Sequence, residues 1–545
     1  MNDRQMNIWL SCSLASLAML AIGCADVQHK SITLHPASSM VRLTGPSAAP
    51  RPAPASRYDL ELARNERQAF QVLVQCPAFS SKHSPSASTT QPAVAGVQPG
   101  ILTEAKPIDH PVAGLRITSY QVHSIRNDVP AEHPQFKVPP RNLGWVPDVC
   151  LPAGGGPHPA EGGLATFFFD VHAPADLPID KPTRFDYRLE FNPAPATGEP
   201  SVLRLSVLVH PFQLPRRLPF RTSVTWNWGI EKYLGRTLTP EERRAYLDFF
   251  MDHRFTPASF WSRGPDFSEE EVRYLAGRGA NVFQVIANLG KRPLTEAQKR
   301  DLRPKLAAWR TMMKSAGAID DCYSLIADEP TEAAIPIIRE NALFLKQAFP
   351  ELRIWVASAP RRELLDVVDV WDVVTAASTS FYTAHQHTSE GFRLARLAPN
   401  RPEYWWFYSV EPYAPHPNAR LDDQLVDSRA IGALSYAQGV DGFEYFWASD
   451  WADNAALRDV PWPAKAAKWK SPLAGAGVLC YPGDDGRPVP SLRLINLRDA
   501  MQDWAALRMA GADQVQALRV ARDPAGLARL RHEIYEQLSR EWMAR

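Results

Sequence analysis

Residues 322–330 read CYSLIADEP: six uncharged residues, two adjacent acids, then a proline. A short apolar run bounded by a breaker is how a strand buried in a parallel sheet reads. Three segments before it share the pattern: RTSVTWNW (221–228), FTPASFW (255–261) and NVFQVIA (281–287). Four follow it: RIWVAS (353–358), VDVWDVVTA (368–376), YWWFYSV (404–410) and DGFEYFW (441–447). Most gaps hold helix-like segments, such as TPEERRAYLDFFMDHR (239–254) and TEAQKRDLRPKLAAWRTMMKSAG (295–317). Eight strands alternating with helices predict a (β/α)8 TIM barrel with CYSLIAD as its fourth strand. GVLCYPG (477–483) reads as a hairpin within the last connection, 491–510 as the closing helix and 520–545 as a helical tail.

The grammar differs upstream. YDLELA, QAFQVLVQ, LRITSYQVHSI, ATFFFDVHAP, FDYRLEF and VLRLSVLVHPF alternate with period two, between Pro/Ser/Ala-rich loops at 45–57 and 76–100. That pattern predicts an N-terminal antiparallel β-sandwich. The expected division is 25–215 for the sandwich, 216–519 for the barrel and 520–545 for the tail, behind a signal peptide at 1–24. The signal reading rests on an apolar run from Ile8 to Ile22, too short for a spanning helix, that ends in Ala21-Ile22-Gly23-Cys24. This resembles a bacterial lipobox, with Ala21 where a leucine is usual, and implies lipidation of Cys24. The expected location is that of an exported bacterial lipoprotein, at the outer membrane or facing the periplasm. Ala25, which is not aspartate, favours the outer membrane.

Composition narrows the function. Of 545 residues, 45% are hydrophobic and 22% charged, and the net charge is +1. A largely disordered chain is excluded, and no whole-protein field favours nucleic acid. Cys76, Cys150, Cys322 and Cys480 are scattered without zinc spacing, and their pairing is open. His385 and His387 form an HxH pair with no evident third ligand. There is no nucleotide-binding glycine loop, and nothing implies a metal or another cofactor. The 16 tryptophans do ask for a role.

Active sites of TIM barrels lie at the C-terminal ends of the strands. There stand Asp328 and Glu329 after strand four, Trp226 and Trp228 after strand one, and Trp261 after strand two. Trp405, Trp406 and Tyr408 lie on strand seven, with Glu411 beyond, and Trp447 and Trp451 close strand eight. Aromatic faces complement the C–H faces of pyranoses, and paired carboxylates do acid–base chemistry, so the kit suits glycoside cleavage. Some of these tryptophans are equally expected in the core.

Several segments resemble glycoside hydrolase family 123 and its relatives: LARNERQAFQVLV (62–74), LIADEP (325–330), RPEYWWFY (401–408), QGVDGFEYFWASDW (438–451) and GVLCYPGDDGRPVPSLRLINLRDAMQDW (477–504). The chain departs from them at Asp450, where an asparagine is frequent, and at Ala500, where a glycine is. The resemblance implies a sandwich followed by a TIM barrel, and an exo-acting, retaining β-N-acetylgalactosaminidase with substrate-assisted catalysis. Glu329 is then the general acid/base, and Asp328 orients the 2-acetamido group that attacks the anomeric carbon. A tyrosine, Tyr382, Tyr408 or Tyr445, is expected to hold the acetamido oxygen. Both acids can serve one sugar only if the strand end bends, since consecutive strand residues point to opposite faces.

Two rivals stay open. Glu329 and Glu411 match the acid and nucleophile of an ordinary retaining glycosidase, for which no 2-acetamido group is needed. Alternatively, a lipoprotein of this shape binds surface glycans without cleaving them. The plain reading of Glu411 is a solvated loop charge, and of Glu444 a rim ion pair.

Overall fold

The computed structural model describes residues 32–45, 48–76, 100–107, 114–127, 143–153, 158–159, 164–194, 200–259, 263–374, 396–398, 400–413 and 416–545. The segment containing Cys24, and Trp261, Tyr382, His385 and His387, lie outside them.

The N-terminal strands are Thr33–Ser38 (β1), Arg57–Arg64 (β2), Glu66–Gln75 (β3), Gly100–Pro107 (β4), Arg116–Asn127 (β5), Gly144–Pro152 (β6), His158–Pro159 (β7), Leu164–Ala173 (β8), Thr183–Ala194 (β9) and Ser201–Gln213 (β10). They form two five-stranded sheets, ordered β1-β3-β8-β5-β6 and β2-β10-β9-β4-β7. Every pairing is antiparallel except β2 with β10, which run parallel. The period-two pattern sends Phe70, Val72 and Val74, Phe167, Phe169 and Val171, and Leu203, Leu205, Val207 and Val209 into one buried layer. Tyr58, Phe70 and Phe169 stack through it, with centroids 4.6 and 5.2 Å apart.

The barrel strands are Arg221–Thr225 (β11), Thr256–Ala258 (β12), Phe283–Gln284 (β13), Cys322–Asp328 (β14), Arg353–Ala357 (β15), Val370–Val374 (β16), Glu403–Tyr408 (β17) and Gly442–Tyr445 (β18). All are parallel, ordered β12-β11-β18-β17-β16-β15-β14-β13, so the last strand pairs with the first and the ring opens only between β12 and β13. Asn281 stitches that seam. Its backbone N–H donates to Thr256 Oγ1 (3.1 Å), and its amide donates to the Leu218 and Phe220 carbonyls (3.0 and 2.8 Å). Helices Pro240–Asp252 (α1) and Glu296–Ser315 (α2) begin at capping boxes, Thr239 with Glu242 and Thr295 with Gln298. GVLCYPG does form a hairpin, Cys480–Pro482 with Pro488–Pro490.

Helices Leu425–Ala437 (α3), Leu492–Ala510 (α4) and the tail Pro524–Met543 (α5) lock barrel to sandwich. Fully buried Arg493 pairs with Asp148 of β6 (2.9 Å), and Arg498 with Asp170 of β8 (2.8 Å). Arg429 of α3 meets Asp503 (2.7 Å), and Arg531 of α5 meets Glu66 (2.9 Å). The Gln502 amide donates to the Arg67 carbonyl (2.7 Å). The charged positions of LRLINLRDAMQDW are therefore the seam between domains. Ala500 belongs to it too: a Cβ on Gly432 of α3 would lie 2.0 Å from the Ala500 carbonyl oxygen, so the two helices touch backbone to backbone. Cys76, Cys150, Cys322 and Cys480 are buried and unbonded. Among the described residues no helix is long and apolar enough to cross a membrane.

Candidate active site

The barrel interior sets the orientation of every candidate. Tyr323 and Leu325 of β14, Trp355 and Ala357 of β15, Val370 of β16 and Trp405 of β17 form one inner cluster, while Ile326, Val356, Trp371, Trp406, Tyr408, Phe443 and Tyr445 join the outer core beneath the helices. Simple alternation along β14 would send Asp328 outward. It does not, because the ladder with β15 slips: Leu325 pairs with Trp355, but Ala327 pairs with Val356 and Asp328 with Ala357. Ile326 is the extra residue of a bulge, and Ile326 and Ala327 both face outward. Asp328 thereby falls into register with inward-facing Ala357.

Glu329 follows with φ 46°, a left-handed conformation uncommon outside glycine. Its N–H donates to the Ala357 carbonyl (3.0 Å), which holds the turn. Strain at such a residue is typical of functional sites, since the surrounding fold has to maintain it. The bulge and the turn supply the bend that paired action on one sugar requires. Gly290, beyond β13, backs the bulge: its N–H donates to the Ile326 carbonyl (2.7 Å).

Asp328 is half-buried, and desolvation raises its pKa, offset by the Lys291 ammonium. Glu329 stands at the exposed mouth, where residual desolvation and then the charges of Asp328 and Glu411 push its pKa up to about 7. A carboxyl so placed carries a proton near neutral pH and can donate it. Glu411 is 4% exposed. It is a buried carboxyl facing Glu329 electrostatically, which corrects its reading as a solvated loop charge.

Two further acids point the same way. Asp372 of β16 aligns with inward Trp405, and Glu444 of β18 with Phe407, one residue on from outward Phe443. Both are buried, and desolvation followed by mutual and Asp328 charge raises the Glu444 pKa far above the usual range; Asp372 is raised by desolvation and by Asp328. Glu444 is thus an interior carboxyl that makes no ion pair among the described residues, and not a rim ion pair. Asp372 was not anticipated, although a lone acid inside the apolar run VDVWDVV is a visible signal.

The aromatic candidates divide. Trp226 is fully buried beneath Arg243, 5.2 Å from its ring centroid. Trp451 is fully buried with its indole N–H on the Cys480 carbonyl (2.9 Å). Trp406, Tyr408 and Tyr445 face outward into the helix layer. These five are core residues, a correction with a simple cause: strand parity or burial turns them away from the mouth. Trp405, also buried, fills the barrel floor. Trp447 instead remains partly open and stacks on Trp228, with centroids 4.9 Å apart and planes within 3°. Phe446 extends the stack at 4.9 Å, and Trp228 is 44% exposed. The Trp228 side chain also bonds Asp450, one of the positions that departs from the resemblance. A flat aromatic platform thus stands at the C-terminal ends of β11 and β18.

Comparisons with known proteins agree with this architecture. Residues 255–510 match the model for the catalytic domain of glycoside hydrolase 123. The chain is similar in fold to a family 123 glycoside hydrolase from Clostridium perfringens, solved in a study of glycolipid glycan hydrolysis, with TM-score 0.63 and 11% identity over 94% of this chain and 100% of that one. A beta-glucuronidase from Bacteroides uniformis aligns at TM-score 0.32 and 12% identity, over 82% of this chain and 49% of that one. No curated protein is significantly similar in sequence.

Proposed function

We propose that this chain, whose barrel residues 255–510 match the glycoside hydrolase 123 catalytic-domain model, is a retaining, exo-acting β-N-acetylhexosaminidase of the N-acetylgalactosaminidase kind. The observation that carries the reading is the paired bulge and left-handed turn at 326–329, which turn Asp328 inward and bend the chain at Glu329. Glu329, protonated near neutral pH, donates to the glycosidic oxygen. The 2-acetamido oxygen of the substrate attacks the anomeric carbon as the leaving group departs. Asp328 accepts the acetamido N–H and faces the positive charge of the cyclised intermediate. Glu329, now a carboxylate, removes a proton from the water that opens it. The Trp228–Trp447 platform carries the sugar or its aglycone on a flat apolar face. Glycolipid glycans, the subject of the Clostridium perfringens study, are the substrates to try first.

The test compares aryl β-glycosides of 2-acetamido and 2-hydroxy sugars and adds a thiazoline analogue of the cyclised intermediate. Turnover confined to 2-acetamido sugars, with inhibition by the thiazoline, supports the reading. A glycan that binds without turnover on either substrate supports the non-catalytic alternative. Burial of Glu411 beside Glu329 favours one second reading, in which Glu411 is the nucleophile. An inert thiazoline together with turnover of 2-hydroxy sugars would support it.

We propose in addition that Cys24 is lipidated and anchors the exported protein to the outer membrane. Fractionation of a Cys24→Ser variant tests this: the expected result is loss of the protein from membranes, and unchanged membrane association would refute it.

A further inference from the structure

We propose that Glu61, His210, His532 and Glu536 form a divalent-metal site of zinc type that clamps the C-terminal helix onto the sandwich. The residues come from β2, β10 and α5. Ligand atoms of Glu61, His210 and Glu536 lie within 4.8 Å of one another, the one such grouping found among the described residues. His210 is fully buried, and its Nε2 lies 2.6 Å from Glu61 Oε1. Its other nitrogen, Nδ1, lies 2.5 Å from Ser539 Oγ. A metal-bound imidazole likewise has one nitrogen held by an outer partner, and an ion here would replace the direct His210–Glu61 hydrogen bond. His532 adds a second imidazole, its Nδ1 3.2 Å from the same Glu61 oxygen.

His532 and Glu536 are four residues apart on α5, so they share one helix face. Two imidazoles and two carboxylates give a nitrogen and oxygen donor set that suits a divalent zinc-type ion. Access exists, because Glu61 and His532 line a cleft of about 450 Å³ between β2 and α5. Of the surrounding cations, Arg540 lies 3.9 Å from Glu536, and Arg57, Arg184, Arg429 and Arg531 line the adjoining cleft. Spacing rules do not reveal such a site, because its ligands stand at 61, 210 and 532–536.

The experiment uses the tag-free full chain, stripped with chelator and titrated calorimetrically with ZnCl2. One equivalent is expected to bind with release of protons, with affinity falling at acid pH and the melting temperature rising. His532→Ala and Glu536→Gln alter only the tail helix and cover the case in which His210 variants fail to fold. Each should weaken zinc binding by roughly tenfold or more while leaving glycoside hydrolysis unchanged. Absence of saturable binding to the native chain, or binding that survives both substitutions undiminished, overturns the proposal.

Discussion

Gly290 and Ala327 meet across the gap between the end of β13 and the bulge of β14: a Cβ built on Gly290 would lie 2.7 Å from Ala327 Cβ and 2.9 Å from the Ile326 carbonyl oxygen. The bulge that aims Asp328 into the barrel is therefore held in place by a residue with no side chain. Gly290→Ala should push β14 away and cost ~1–3 kcal/mol of stability through overpacking. Turnover should drop by roughly a hundredfold, as expected when an acid shifts by about an ångström. Thermal melts and kcat on an aryl glycoside check both effects; unchanged kcat would remove the bulge from the catalytic argument.

Glu329 must be protonated to act as the acid, so kcat/KM should fall as pH rises through about 7. Asp328 must be ionised, and its pKa lies above the ordinary aspartate range, so activity should also fall as pH drops, earlier than for an exposed aspartate. Glu329→Gln should abolish the basic limb and cost ~10²–10⁴ on poor leaving groups, with little loss on activated aryl glycosides. Glu411→Gln removes a charge that raises Glu329, so the basic limb should move to lower pH. A pH–rate profile for each variant decides.

Asp328→Asn keeps the shape of the side chain and removes the charge facing the cyclised intermediate. Turnover should fall by ~10²–10³, while Glu411→Gln costs much less. The reverse order, with azide rescue of Glu411→Ala as a glycosyl azide, would assign the nucleophile to Glu411.

The tryptophans offer a contrast between platform and core. Trp228→Ala should raise KM, by ~1 kcal/mol of lost stacking, and leave the melting temperature nearly unchanged. Trp226→Ala empties a fully buried site beside Tyr246 and should cost ~3–5 kcal/mol of stability. Equal effects on KM and on melting would erase the distinction.

The eight barrel strands were legible because parallel-sheet strands are short apolar runs with breakers between them. The CYSLIAD reading coincides with β14, and the hairpin at GVLCYPG and the helix at 491–510 also formed as read. The parallel pairing of β2 with β10 was not legible, since alternation in one strand says nothing of its neighbour's direction. Nor was the difference between Trp447 and Trp451: both end the same strand region, and only the packing of the hairpin Cys480–Pro482 buries the second.

By itself the sequence determined the order of sandwich, barrel and tail, the resemblance to its family and the presence of an acid pair at the end of the fourth strand. Those follow from local pattern, because periodicity and breakers are written residue by residue. Only the tertiary structure decided which way each side chain faces. One extra residue at Ile326 reverses the parity of the last residues of β14, bringing Asp328 to the inner face, and the left-handed turn at Glu329 then redirects the chain. On β16, β17 and β18 the registers are regular, and ordinary alternation places Asp372 and Glu444 inside and Trp406, Tyr408 and Tyr445 outside. Register is a property of pairs of strands, and a single strand does not contain it.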